Sequence, residues 1–263
     1  KNDGMESVAV TDHGVMYGIP EFWVMSKDYN IKPIIGCEIY LSPGDMTIKK
    51  DVDGIKYYHL LLIAKNKVGY INLNKIVSEA QINGYYYKPR IDKETLKKYS
   101  EGLIVTSACL AGPLSRHILR GQEAKALEWL DYFKDTFKDN FFLEVQRNGF
   151  SSDDITKVDL RGLHPEHRES IEHQIKVNNK LREYADKYKL PLVATTDAHF
   201  LNKEDSETQE ILFAIKDGRR LDDDERRIGY LDTYVKTQDE MKTGFADLPE
   251  ALENSMKIAE MVE

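Results

Sequence analysis

The sequence predicts an α/β fold, with a largely parallel sheet and helices packed outside it. Two observations carry that prediction. Short apolar runs alternate along the chain with longer stretches of helical character. Several of those runs are almost continuously apolar, the pattern of strands covered on both faces. Six or so such strands could close into a barrel or lie open as a doubly wound sheet, and periodicity leaves both arrangements open.

Taken in order, the first strand is expected at Ser7–Thr11 and the first helix at Ile19–Tyr29. Strands at Pro33–Leu41 and Tyr58–Ala64 follow, then a helix over Val68–Gln81. A strand at Leu103–Ser107 leads into helices at Gly112–Leu119 and Glu123–Phe137. The strand at Asn140–Gln146 is separated from the next helix, Glu169–Tyr188, by a polar excursion over Gly149–Glu166. The last strand is Pro191–Thr196, followed by a helix at Lys203–Lys216. Two short helices close the chain. Thr237-Gln-Asp-Glu240 is a capping-box pattern opening Gln238–Thr243, and Asp247 stands in N-cap position before Pro249–Met261. The charge run RRLDDDERR, residues 219–227, reads as a solvated loop.

Composition narrows the function classes. The 263 residues are 41% hydrophobic and 31% charged, enough for one large core or two smaller ones. The longest strongly apolar run, Leu60–Ala64, is far short of the ~20 residues of a membrane helix. No signal peptide is visible, and the chain opens on Lys1, so its start is expected upstream. A net charge of −8 makes the domain a poor candidate for gripping duplex DNA alone, since that grip comes from cations neutralising phosphates. Two cysteines make no disulfide framework and point to a reducing cytoplasm.

The polar residues at the ends of the apolar runs carry the chemistry. SVAVTDHG ends on Asp12 and His13, PIIGCEIYL carries Glu38, and YYHLLLIA opens on His59. GLIVTSAC ends on Cys109, FFLEVQ carries Glu144, and LVATTDAHF ends on Asp197 and His199. In α/β folds active sites form at the carboxyl ends of the strands. Imidazole, carboxylate and thiolate together are the ligand set of a zinc or manganese site. Such ions lower the pKa of bound water and neutralise phosphoryl charge, which is what phosphoester hydrolysis requires. His59 reaches the same mouth only if its strand runs opposite to the others or enters from the rim. Asp12 is read as orienting His13 or a bound water, and Glu144 as a supporting carboxylate. Cys37, next to Glu38, should face the core. His117, His164, His167 and His173 read as surface residues.

At this point the sequence resembles the PHP (polymerase and histidinol phosphatase) domain, in the branch found at the N-terminus of bacterial DNA polymerase III alpha subunits. The motifs are VAVTDHGVMYG (8–18), KPIIGCEIYL (32–41), HLLLIAKNKVGYINL (59–73), GYYYKPRID (84–92), EGLIVTSACLAG (101–112) and LPLVATTDAHFLNKED (190–205). FADLPEALENSMKIAEMVE (245–263) is similar to the segment leading into a polymerase core, which implies a PHP domain over 1–245 and a connecting helix over 246–263. The resemblance implies a distorted (β/α)7 barrel. It also implies a cluster of up to three divalent ions, zinc or manganese with magnesium as a third candidate. Its ligands would fall on His13, Glu38, His59, Cys109, Asp197 and His199, with His13, Asp197 and His199 also catalytic. The family's first strand, with a His-x-His motif and a following Asp, is missing from this chain.

The activity implied is metal-dependent phosphodiester hydrolysis, a 3′–5′ proofreading exonuclease within a nucleotidyltransferase. The partners implied are the polymerase core of the same parent chain, DNA and other replisome subunits, with no membrane. Two alternatives stay open: a catalytically silent module that braces the polymerase and binds replisome subunits, and a free-standing small-molecule phosphatase. In GYYYKPR (84–90), Lys88 and Arg90 beside three tyrosines could pair phosphates while the rings stack bases. The favoured reading of that segment is packing of its own loop and of a neighbouring domain.

Overall fold

The computed structural model describes residues 3–223 and 226–263. In chain order the elements are β1 (Ser7–Val10), α1 (Ile19–Asp28), β2 (Lys32–Leu41), β3 (Tyr58–Ala64), α2 (Lys67–Ile82), β4 (Tyr85–Tyr86), β5 (Lys88–Ile91), α3 (Lys93–Lys98), β6 (Leu103–Thr106), α4 (Pro113–Leu119), α5 (Glu123–Phe137), β7 (Phe141–Gln146), α6 (Pro165–Tyr188), β8 (Leu192–Thr195), α7 (Ser206–Asp217), α8 (Gln238–Gly244) and α9 (Pro249–Met261). The α/β class and every expected strand and helix are present. The sheet runs β4-β5-β2-β3-β6-β7-β8, with β1 paired to β2, and curls into an incomplete barrel. Among the described residues β1 is paired only to β2 and β8 only to β7, so the barrel has an open seam.

The sheet is not uniformly parallel. β2 pairs parallel with β1 through its first half and antiparallel with β3 through its second. β3 is antiparallel to β6 as well, whereas β6–β7 and β7–β8 are parallel. The alternation of strands and helices concealed this, because β2 and β3 are joined by a loop with no helix in it. The β4–β5 hairpin and α3 were not expected either, being too short to show a period.

Strand alternation divides the side chains between two faces. The outer face supplies Cys37, Ile39, Leu41, Leu60, Leu62, Leu103, Val105, Phe141, Leu143, Val145, Leu192 and Ala194 to the main core beneath the helices. The inner face carries Ile34, Ile63, Ile104, Phe142 and Val193 at one end, closed off by Ile258 and Val262 of the C-terminal segment. Toward the other end it carries Glu38, His59, Thr106, Glu144, Gln146 and Thr195, so the interior passes from apolar floor to polar mouth. A cavity of about 1110 Å³ occupies this concave face and reaches the seam between β1 and β8.

The C-terminal segment is packed into this body. Lys32 donates from Nζ to the carbonyls of Ala259 and Val262, and the Glu263 amide donates to Lys65 O. The capping box of α8 is present, with Thr237 and Glu240 each satisfying the other's backbone N–H. Asp247 does not cap α9. Leu248 holds that position, and the Asp247 carboxylate turns to Arg147 instead. A charge-assisted pair with a buried guanidinium outweighs one backbone N–H bond. His117 is also misplaced as a surface residue. It is 3% exposed, sharing hydrogen bonds with Tyr58 Oη at 2.8 Å and Gln122 Oε1 at 2.7 Å. The described part of the 219–227 run is largely exposed and ion-paired, Arg220 with Asp222 and Arg227 with Asp217; residues 224 and 225 lie outside the described residues.

Candidate metal centre

The backbone after β1 continues alongside β2 and sets His13 beside Glu38. The Glu38 amide donates to Asp12 O, and the Gly14 amide donates back to Glu38 O. Gly14 has φ +68°, and a Cβ there would meet the Tyr40 ring at 2.9 Å, so only glycine allows the chain to turn away directly after His13. His59 arrives from the opposite direction. Because β3 is antiparallel, its first residues lie at the carboxyl ends of its neighbours, with His59 opposite Tyr40. Cys109 sits in the turn after β6, where Ala108 holds φ +60° and the His59 amide donates to Ala111 O. Asp197 and His199 follow β8. Asp197 holds φ +50°, and the His199 amide donates to Thr233 O at 2.7 Å.

These six side chains meet at one mouth. Glu38 Oε1 lies 2.6 Å from His59 Nδ1 and 3.4 Å from His13 Nε2. Cys109 Sγ is 3.9 Å from both Glu38 Oε1 and His59 Nδ1. The His13 ring is 5.3 Å from that of His59 and 5.9 Å from that of His199. His199 Nδ1 donates to Asp197 O at 2.6 Å and stands 3.8 Å from Asp197 Oδ1. One donor atom each from His13, Glu38 and His59 fall within 4.8 Å of one another. A first-row divalent ion binds N and O at about 2.0–2.2 Å, so donors spread over this range fit one with small side-chain adjustments.

The electrostatics of the cluster follow from crowded carboxylates, Glu38 buried and Asp197 half-buried. Burial alone would push the Glu38 carboxyl up, but hydrogen bonds and charge from His13 and His59 outweigh it and bring it down to about 2. The hydrogen bond to Glu38 raises the His13 imidazole against the opposing effect of burial. Asp197 is raised, first by burial and then by the nearby Glu38 charge. Burial also pushes the Cys109 thiol up, helped by the charges of Asp197 and Glu38. Anionic groups that repel one another here are groups a cation would bring together.

Glu144 lies on the inner face of β7. It accepts hydrogen bonds from Thr106 Oγ1, Thr195 Oγ1 and Gln146 Nε2, and burial raises its carboxyl. With three neutral donors on it, Glu144 supports the floor of the mouth. The Asp12 carboxylate makes no hydrogen bond to His13 among the described residues. Its backbone carbonyl does the positioning, accepting from the Glu38 amide and from Cys37 Sγ. Cys37 is fully buried, as expected, and burial pushes its thiol up to about 12.

The two cations of GYYYKPR separate. Arg90 does not reach the mouth or the solvent. It is 0% exposed and donates to the carbonyls of Gly84, Lys56, Met46 and Ile48, so it ties the hairpin to the β2–β3 loop. Lys88, two residues earlier, is half-buried, with Nζ 5.4 Å from the centre of the Tyr40 ring. Tyrosines at the mouth escaped the sequence reading. Tyr40 packs 5.3 Å from His59, Tyr57 stacks on His59 at 6.0 Å, and Tyr230 meets His199 edge-on at 4.7 Å. Strand alternation from Glu38 marks Tyr40, two residues on; Tyr57 and Tyr230 stand in loops and carry no such signal.

Residues 1–148 match the PHP domain family. DNA polymerase III subunit alpha from Borreliella burgdorferi is 40% identical over 262 residues, covering 99% of this chain and 21% of that protein. The same subunit from Chlamydia pneumoniae is 38% identical, covering 97% of this chain and 22% of that protein. That from Thermus aquaticus is 37% identical, covering 98% and 20% respectively. The chain thus spans about a fifth of the length of these relatives. With the match running over more than half of its length, this chain belongs to the PHP domain family.

Proposed function

We propose that the chain is the PHP domain of a DNA polymerase III alpha subunit and that its mouth hydrolyses phosphodiesters, acting as a 3′–5′ proofreading exonuclease during replication. The observation that supports this most is the meeting of His13, Glu38, His59 and Cys109 within 4 Å contacts of Glu38 Oε1 or of each other, with Asp197 and His199 alongside. These six residues would hold zinc or manganese, with magnesium as a third candidate. Bound there, the ions would supply Lewis acidity for a water nucleophile and for the phosphoryl oxygens.

The chain's own residues do the rest. Glu38 stays ionised through the neutral range and anchors two imidazoles. The Nδ1–H of His199 is fixed on Asp197 O, which leaves Nε2 as the lone-pair face of that ring. Asp197, its carboxyl raised by burial and by the nearby Glu38 charge, stands beside the His199 ring at the same mouth. The free edges of β1 and β8 face the cavity, where the family's His-x-His strand would pair and bring the cluster to its full complement of up to three ions. Residues 246–263 would lead on toward the polymerase core, and other replisome subunits would be partners of the assembled enzyme in the cytoplasm.

The test uses the full polypeptide that carries this chain, stripped of metal, reloaded with manganese or zinc, and assayed on 3′-labelled single-stranded DNA. Loss of hydrolysis without added metal and in His199→Ala is the expected result. Hydrolysis independent of both would overturn the proposal. Thermal stabilisation by metal, combined with unchanged nuclease activity in Asp197→Ala, would favour a bracing module instead.

A further inference from the structure

We propose that the β4–β5 hairpin and the tyrosines at the mouth form a track for single-stranded nucleic acid, in which aromatic rings and lysines alternate up to the metal centre. This inference deepens, and rests on, the reading of the mouth as a phosphodiesterase.

Four observations carry it. First, β4 and β5 pair Tyr86 with Lys88 across a turn whose single intervening residue is Tyr87. Tyr87 is 61% exposed and holds φ +60°, a left-handed conformation costly for an aromatic residue. The turn thus keeps a large ring outside the core at a position where glycine would be easier, as happens at sites kept for function. Second, Lys56 Nζ sits 3.9 Å above the Tyr87 ring. Third, Lys88 Nζ sits 5.4 Å from the Tyr40 ring, which itself packs against His59. Neither lysine has a carboxylate within ion-pair distance among the described residues, although the chain carries a net charge of −8. Fourth, Tyr57 stacks on His59 at an interplanar angle of 18°, and Tyr230, 42% exposed, closes the opposite side against His199.

The sequence of groups from outside to inside is therefore ring and cation at Tyr87–Lys56, cation at Lys88, then rings at Tyr57 and Tyr230 flanking the imidazoles. Stacking platforms interleaved with unpaired lysines are the chemistry of a single strand, whose bases are free to stack while its phosphates meet the cations. A duplex offers no free base faces to these rings. Arg90 keeps the hairpin in place from beneath, through four carbonyl acceptors, and is not itself a phosphate ligand. Both elements of the track are local to the mouth, which is how an overall acidic domain can still hold a polyanion.

The experiment uses the full polypeptide with two readouts. An oligothymidylate bearing 5-iodouracil near its 3′ end is photocrosslinked in the absence of metal, and the adducts are mapped. Adducts on Tyr57, Tyr87 or Tyr230 are the expected result. Separately, kcat/KM is compared for the oligonucleotide and for bis(p-nitrophenyl) phosphate, a small diester with no bases. Tyr87→Leu and Lys88→Ala should each lower the oligonucleotide-to-diester ratio by about tenfold, mainly through KM. Absence of adducts on all three tyrosines, or an unchanged ratio in both variants, overturns the track. A Tyr87→Leu variant that loses thermal stability while the ratio and adducts persist marks the ring as packing against another part of the polypeptide and removes it from the track. If the wild type cleaves neither substrate, the phosphodiesterase reading fails and the crosslink alone decides the track.

Discussion

Two buried charged clusters lie at opposite sides of β7, and they are built on different principles. Around Arg147 the charges cancel within the chain, since Arg147 and Arg182 together face the carboxylates of Asp153 and Asp247. The Arg147 guanidinium is 0% exposed, pairs with the buried Asp153 and with Asp247, and also donates to the carbonyls of Ser151 and Gly244. Burial would lower the Arg147 pKa, but the two carboxylates hold it above its ordinary range. Around Glu38, among the described residues, no lysine or arginine forms an ion pair with the carboxylates. The positive charge there is what His13 and His59 can supply by protonation, while Glu38, Asp197 and Glu144 crowd the same mouth. One cluster balances its charge from within and fastens β7, the 149–166 loop and the approach to α9 together. The other is short of positive charge, and that deficit is what marks a site for an external cation.

The comparison can be broken most severely at Arg147. Arg147→Met takes from buried Asp153 its closest cation and leaves it the longer contact with Arg182 at 3.5 Å, and loss of one partner of a buried pair costs about 3–5 kcal/mol. Urea unfolding should show that loss, and added metal should not restore it. Glu38→Gln is expected to act in the opposite way. It should abolish the rise in melting temperature on adding manganese or zinc, an effect worth about 2.7 kcal/mol for the wild type at a hundredfold excess over Kd. Metal-free stability should change less than in Arg147→Met. Equal metal-dependent stabilisation in Glu38→Gln and wild type would remove the distinction between the clusters.

Smaller effects sharpen it. Thr195→Val removes one hydroxyl donor to buried Glu144 and should cost about 1–3 kcal/mol of stability by thermal melting, with metal affinity little altered. Asp247 gives the least. Its hydrogen bond from Arg147 holds its carboxyl below the usual range, so it stabilises the fold above the unfolded-state pKa and that contribution disappears as pH falls through the folded value. Its side chain is 48% exposed, so solvent screening keeps the contribution under about 1 kcal/mol. Melting curves of wild type and Asp247→Asn should therefore separate at neutral pH and converge in acid.

The strand-by-strand order of the fold was legible because the buried strands read as apolar runs with distinct ends. The convergence of the polar side chains on one mouth was legible for the same reason: a carboxylate or imidazole closing such a run has few other places to go. Direction was not legible. Nothing local in YYHLLLIA distinguishes a strand running with its neighbours from one running against them, although the placement of His59 at the start of its run made antiparallel entry a condition for its use. His117 was misread as a surface residue, and the weaker reading of Arg90 as a phosphate partner gave way to the favoured one of packing, because both are buried by long-range partners. Arg90 gathers carbonyls from three separate segments, and His117 meets Tyr58, 59 residues away. Asp247 stood in a local capping position in the sequence but pairs in the fold with a guanidinium 100 residues earlier in the chain.

The reversal of β3 ties the chemistry of the mouth to the correctness of strand pairing. Side chains alternate between faces, so a slip of one residue between β2 and β3 would carry His59 into the apolar layer and put Tyr58 or Leu60 in its place opposite Tyr40. The hydrophobic run Leu60–Ile63 would tolerate such a slip far better than the donor set would. Uptake of a divalent ion at the proposed centre would thus serve as a proof-reader of the fold itself: molecules that bound it would have the β2–β3 hairpin in register.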